Sequence, residues 1–243
     1  MVKMSNHFTA AIQDYRYLKQ RGYPDKAALK LVADRYRLSA QARNCLFRGV
    51  VSPAVGRTRL QKLLSPEQLA GARLGVDWYN VLITLESYLK GAPIFIADDG
   101  VLRDSSGIHG SYRPGRITEA AIQALLEGLR SLDLAALDLY LDAPISYSGQ
   151  MAQLLRERTA SWPENPEISI AVELSADYPL KRYTGVVATS DSTIMDSGAI
   201  RGIFDLVRFV LRVRYRHSPA RLEELPLFKD PDTPPGPPAP PGR

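Results

Sequence analysis

The sequence predicts an α/β fold, a mostly parallel sheet sandwiched by helices and preceded by a small all-α domain. Three observations point there. From Leu74 onward, short apolar runs alternate with helix-length stretches, the pattern of strands joined by helical crossovers. Before it, residues 5–70 carry apolar side chains at helical spacing. The charge divides at the same place. Residues 1–70 hold 13 Lys and Arg against 4 Asp and Glu, a net of +9, while the remainder is net −4.

Phe8, Ile12, Tyr15 and Leu18 mark a first helix, broken by Gly22-Tyr23-Pro24. Asp25 can start the second, with Ala27, Ala28, Leu31, Val32 and Tyr36 as its apolar stripe. Ser39 is placed to cap a third that runs through Cys45, Leu46 and Phe47. Ser52-Pro53 makes a break, and Ser65-Pro66-Glu67 opens a short helix with Pro in its first turn. Strands are expected over 74–77, 94–97, 137–141, 168–173 and 185–189, and helices over 80–90, 117–131, 147–160 and 199–215. The stretch from Asp98 to Arg116, with four glycines, is either a hairpin or a functional loop. The apolar run Ile203 to Val213 is either core or the interface of a homodimer. The expected domains are 1–72, basic and helical; 73–217, α/β; and 218–243, a Pro-rich tail unable to bury a core and expected to be disordered.

With 45% hydrophobic and 23% charged residues, the composition is that of an ordinary globular protein. No apolar run reaches the roughly 18 residues of a spanning helix, and Met1 to Ala10 lack the apolar core of a secretion signal. No membrane partner is expected. Cys45 is the only cysteine, which excludes an intrachain disulfide and fits a cytoplasmic setting. A basic segment joined to a weakly acidic body points to polyanion binding.

Chemistry concentrates at three strand ends. The run Val186-Val187-Ala188 stops at Thr189-Ser190-Asp191-Ser192 and reaches a second carboxylate at Asp196. Asp77 ends the apolar run before Trp78-Tyr79-Asn80, and Asp142 ends Leu139-Tyr140-Leu141. Sites of open α/β sheets lie at the carboxyl ends of strands. If these strands are neighbours, their carboxylates converge and suit Mg²⁺ or Mn²⁺, which can polarise a phosphate and orient an attacking water. Each Asp alone is equally explained as a helix cap. Asp196 either reaches the same ion or caps the helix expected near Gly198. Asp177 reads as an Asx-turn residue, and Glu119 as a negative charge favoured at a helix start.

Asp77-Trp78-Tyr79-Asn80 resembles the first-strand Asp-x-x-Asn signature of PIN and NYN nuclease domains, and Thr189-Ser190-Asp191-Ser192 resembles their late Thr/Ser-Asp motif. The resemblance covers residues 74–215 and implies a Rossmann-like α/β sandwich with a carboxylate cluster that binds Mg²⁺ or Mn²⁺ and cuts RNA. Carried over, it makes Asp77, Asp142 and Asp191 metal ligands helped by Asp196, with Asn80 and Ser190 orienting ligands or water. The implied activity is that of a metal-dependent endoribonuclease. Its partner would be RNA, including structured RNA such as tRNA or rRNA, held by basic helices that present Arg43 and Arg48. Arg113 and Arg116 would contact the substrate backbone, and His109 of the same loop could act as acid or base. The segments Asp14-Tyr15-Arg16-Tyr17-Leu18 and Asn44-Cys45-Leu46-Phe47-Arg48-Gly49 also resemble an archaeal and bacterial family of unknown function.

Two other functions stay open. A degenerate acidic cluster would leave a non-catalytic RNA-binding protein. Phe95-Ile96-Ala97-Asp98-Asp99-Gly100-Val101-Leu102 resembles the opening of a haloacid-dehalogenase-type small-molecule phosphatase. In that alignment Asp99 takes the acid/base place, but Ala97 stands where the nucleophilic Asp belongs. Asp98 is one residue off, which turns a strand side chain to the opposite face.

Overall fold

Helical spacing at the start of the chain becomes four packed helices. The computed structural model describes residues 7–105, 112–162 and 166–225. In it α1 (His7–Gln20), α2 (Asp25–Arg35), α3 (Ala40–Gly49) and α4 (Pro53–Lys62) succeed one another. Phe8, Ala11, Ile12 and Tyr15 form the buried stripe of α1, and Ala28, Val32 and Ala33 that of α2. The Ser39 hydroxyl caps α3, accepting from the Ala42 amide at 3.2 Å. A short 3-10 turn, Pro66–Leu69, leads into the sheet.

The α/β part comprises β1 (Ala72–Asp77), α5 (Trp78–Leu89), β2 (Ile94–Ile96), β3 (Leu102–Asp104), α6 (Thr118–Arg130), β4 (Leu134–Asp142), α7 (Ser148–Thr159), β5 (Glu167–Glu173), α8 (Asp177–Leu180), β6 (Val186–Ala188), α9 (Ser192–Met195), β7 (Gly202–Ile203) and α10 (Leu206–Tyr215). Five strands form one parallel sheet in the order β5-β4-β1-β6-β7. Numbered along the chain within that sheet the order is 3-2-1-4-5, which is Rossmann-like.

Period-two alternation decides which side chains face which layer. Leu74 and Val76 of β1 join Leu137, Leu139 and Leu141 of β4 in the large core beneath α5, α6 and α10, with Leu82, Leu125 and Val210 among their partners. On the other face Val187 and Ile203 pack with Leu180, Ile194 and Ile200. The helices there, α8 and α9, are four residues each. The sandwich is therefore thick on one face and thin on the other. Among the described residues no helix is long and apolar enough to cross a membrane.

Several expectations need correction. The strand at 94–97 lies outside the parallel sheet: β2 pairs with β3, antiparallel, as a hairpin turned at Asp98–Gly100, and Ile96 on its other edge forms a single bridge to Arg221. Gly100 makes that turn possible with φ of +77°. The helix expected from residue 199 starts only at Leu206, because Asp205 caps it, accepting from the Arg208 amide at 3.0 Å. Gly202–Ile203 is spent instead on edge strand β7. Val207, Val210 and Leu211 are buried, so α10 serves the core. The expected tail also begins later in its packing, since Leu222 and Leu225 are buried against the helical domain beside Phe95 and Ala97. Residues 106–111, with His109, and residues 226–243, with the Pro-rich run, lie outside the described residues.

A chain of ion pairs joins the helical domain to the sheet. Asp99, in the hairpin turn, is fully buried and accepts from Arg59 of α4 at 2.8 Å and from Arg103 of β3 at 2.9 Å. Arg59 also grips both oxygens of Asp196, at 2.8 and 2.6 Å. Arg48 of α3 donates to Asp104 at 3.0 Å, and Arg16 of α1 donates to Asp98 and Glu223. The hairpin that resembles a phosphatase opening is thus an anchor, with Asp98, Asp99 and Asp104 all committed to arginines.

Removing one partner from a buried ion pair leaves an uncompensated charge. Asp99→Asn is expected to cost about 3–5 kcal/mol in urea unfolding, against about 1 kcal/mol or less for Asp98→Asn in its partly exposed pair. Equal costs would show that burial of Asp99 is unimportant. At Gly185 an added Cβ would stand 2.4 Å from the Arg73 carbonyl oxygen. Gly185→Ala should therefore cost about 2–3 kcal/mol, read as a lower denaturation midpoint with the slope unchanged.

Candidate functional site

Parallel pairing brings the acidic strand ends together. β1 lies between β4 and β6, in register Asp77 to Tyr140 on one side and Val76 to Ala188 on the other. The strand order reverses at β1, so the crevice beyond its carboxyl end is the switch point where open α/β sheets place ligands. Asp77 and Asp142 end their strands there, and Asp191 follows β6 by three residues. With Asp177 they line one cavity of about 290 Å³, which also touches Arg48, Asn80 and Asp104.

Helix capping explains only one of the three expected aspartates. Asp77 precedes α5 but makes no capping bond; its Oδ2 accepts from the Thr189 hydroxyl at 2.9 Å. Asp142 Oδ1 accepts from the Ala176 amide at 2.9 Å, across the loop after β5. Asp191 does cap α9, accepting from Thr193 at 2.6 Å. Asp177 Oδ2 accepts from Lys181 and Thr193, at 2.9 and 3.2 Å. Among the described residues, each carboxylate is held through a single oxygen. Asn80 Oδ1 accepts from both the amide and the hydroxyl of Ser190, at 2.8 and 2.9 Å. The loop that carries Asp191 is thereby pinned to α5.

The electrostatics are costly. Burial pushes the Asp77 carboxyl up to about 8, with Asp142, Asp191 and Asp177 adding to the rise and only the Thr189 bond opposing it. Asp142 is raised too, first by burial and then by Asp177 and Asp191, against the Ala176 bond. These are like charges crowded into a desolvated edge. Hard divalent cations take oxygen donors of this kind. Among the described residues, however, no three Asp, Glu, His or Cys side chains are gathered closely enough to hold an ion as they stand. The oxygen-donor chemistry of these side chains, though not their present spacing, suits Mg²⁺ or Mn²⁺.

Other expected residues fall elsewhere. Asp196 lies beyond the far end of α9, and both its oxygens are taken by Arg59, so it stands apart from the four carboxylates. Arg48 does reach the acidic cavity. Arg43 pairs with Asp34 and the Leu38 carbonyl, away from it. Arg113 and Arg116 are exposed and line neither this cavity nor the larger one beside it. Glu119 pairs with Arg158 on the surface. Asp177, expected to serve only its own turn, is a member of the site. Its signal in the sequence was position alone, since it follows β5 as the other aspartates follow their strands.

The larger cavity, about 510 Å³, shares Arg48, Asn80 and Asp191 with the first, making one cleft between the helical domain and the sheet edge.

Asp77 gives the site a pH signature. Folded, it titrates near 8, against 3.8 as the ordinary value. Between those limits the folded chain binds the extra proton, so this contribution to stability is present at low pH and lost as pH rises towards 8. In chelator, Asp77→Asn should leave Tm unchanged near pH 4 and raise it by roughly 12–24 °C at pH 8.5, from ~1.4 kcal/mol per pKa unit and ~2–4 °C per kcal/mol. A pH-independent difference would mean that Asp77 is ionised throughout.

Residues 7–62, which form α1 to α4, match the model of a protein of unknown function, DUF434. A similar chain is the uncharacterized protein MJ0935 of Methanocaldococcus jannaschii, 35% identical over 197 residues, which are 81% of this chain and 93% of the relative. No solved structure matches. The model of a second domain of unknown function, DUF5616, matches residues 66–208, which run from the turn before β1 into α10 and contain all four carboxylates, and the chain belongs to that family.

Proposed function

We propose that the chain is a metal-dependent ribonuclease of PIN/NYN type, with its site on the cleft between the two domains. The observation that carries this proposal is the convergence of Asp77, Asp142, Asp177 and Asp191 on one cavity at the switch point of the sheet. Four carboxylates share this edge, and the two that are pushed upward are raised by burial and by their acidic neighbours, a cost that a bound cation would relieve. The motif pairing supports it as well, because Asn80 of the first motif holds Ser190 of the second.

Oxygens of Asp77, Asp142, Asp177 and Asp191 would hold Mg²⁺ or Mn²⁺, an arrangement in which one or two direct carboxylates and several waters suffice. When bound, the ion supplies charge to a phosphodiester and acidifies coordinated water. Thr189 holds the Asp77 carboxylate, and Asn80 pins Ser190, the residue before Asp191. Arg48, at the mouth of both cavities, is placed to meet a phosphate. Lys19 and Arg48, the cations of the helical domain that line the larger cavity beside Arg59, favour a polyanion at that wall.

Incubation with end-labelled single-stranded and structured RNAs, in Mn²⁺ or chelator, tests this. Cleavage should require the metal and fall at least ~100-fold in Asp77→Asn and Asp191→Asn, beyond the ~10–100-fold typical of outer-shell partners. Glu119→Gln, at a surface pair, should cleave as the parent does. RNA binding without cleavage in any divalent metal would leave a non-catalytic binding protein instead.

A further inference from the structure

The larger cavity has an aromatic wall that the proposed chemistry does not use. Tyr23, in the turn between α1 and α2, and Phe47, on α3, line it while remaining 55% and 46% exposed. Lys19 and Arg48 stand on the same wall. Opposite them, across a cavity of about 510 Å³, lie Ser190 and Asp191 of the acidic edge. Aromatic faces left in water beside cations form the surface on which single-stranded nucleic acids stack their bases. Only an unpaired strand fits this requirement, because a duplex keeps its base faces stacked inside.

We propose that Tyr23 and Phe47 form a stacking platform for unpaired bases of single-stranded RNA, setting the adjoining phosphate at the acidic edge. This rests on the cleft being a nucleic-acid site, as proposed above. The helical domain would then select an unpaired strand by its base faces, which gives it a role beyond its charge. Both side chains are about half exposed and lie outside the hydrophobic cores, so the fold should tolerate their replacement.

Fluorescence anisotropy with an unstructured ten-nucleotide RNA, full-length protein and chelator separates binding from cleavage. Tyr23→Ala and Phe47→Ala should each weaken binding about 10-fold, equivalent to ~1.4 kcal/mol and inside the ~1–3 kcal/mol range per stacked base. Tyr23→Phe and Phe47→Tyr should restore it. The same strand carrying abasic sites should bind as weakly, with no further loss on either alanine substitution. Parental affinity in the alanine variants overturns the platform, as does an equal loss on normal and abasic strands, or no RNA binding at all. Aromatic-dependent binding without cleavage in any metal would sustain the platform and sink the nuclease. Metal-dependent cleavage with KM untouched by both alanine substitutions would do the reverse.

Discussion

Asp99 is the anion on which the two parts of the molecule meet. It is fully buried and shared by Arg59 from the helical domain and Arg103 from the hairpin. Taking three charges out of water is costly, and their attraction offsets that cost only when geometry and stoichiometry are right. A slip of α4 along the hairpin would strand Arg59 or Arg103 without its counter-ion. The pairs Arg16–Asp98 and Arg48–Asp104 repeat the constraint from α1 and α3. Helical domain, hairpin and the α9 end are therefore locked in one arrangement, and the cleft between them has a defined width.

This lock changes the meaning of the charge asymmetry. The excess of +9 in residues 1–70 looks, as composition, like a free basic surface. Much of it is spent inside the molecule: Arg16, Arg48 and Arg59 each face a carboxylate of the α/β part. What the cleft retains is local. Arg48 keeps its place on the wall because Asp104 holds it there, which pre-orients the cation at little further entropic cost.

Legibility followed periodicity. Leu137, Leu139 and Leu141 alternate, and their strand is readable; Leu102–Asp104 and Gly202–Ile203 are too short to show a period, so β3 is legible only as the hairpin alternative for 98–116 and β7 not at all. Helix α10 was over-extended at its start because Asp205, an N-cap in the folded chain, has no distinguishing neighbour in sequence. Among the aspartates, Asp77, Asp142 and Asp191 were legible because each closes an apolar run. Asp196 failed for a reason no local pattern contains: Arg59, 137 positions away, takes both its oxygens. Asp177 was hidden by its own turn, since only the β4–β5 pairing and the Asp142–Ala176 bond bring its loop over the edge.

The two ends of the α9 segment show how one fold gives neighbouring carboxylates opposite jobs. Asp191 and Asp196 are five positions apart, at the two ends of a four-residue helix. Asp196 meets an arginine and is satisfied on both oxygens. Asp191 meets the helix amide of Thr193 through one oxygen and faces Asp77 and Asp142 with no arginine paired to it among the described residues. The fold thus neutralises Asp98, Asp99, Asp104 and Asp196 with arginines where they join domains, whereas at the sheet edge Asp177 has Lys181 and Asp77, Asp142 and Asp191 have no cation paired to them among the described residues. Stability alone would favour cations at both places, so leaving those three carboxylates without one is a cost, and it is the cost that the proposed metal site would explain.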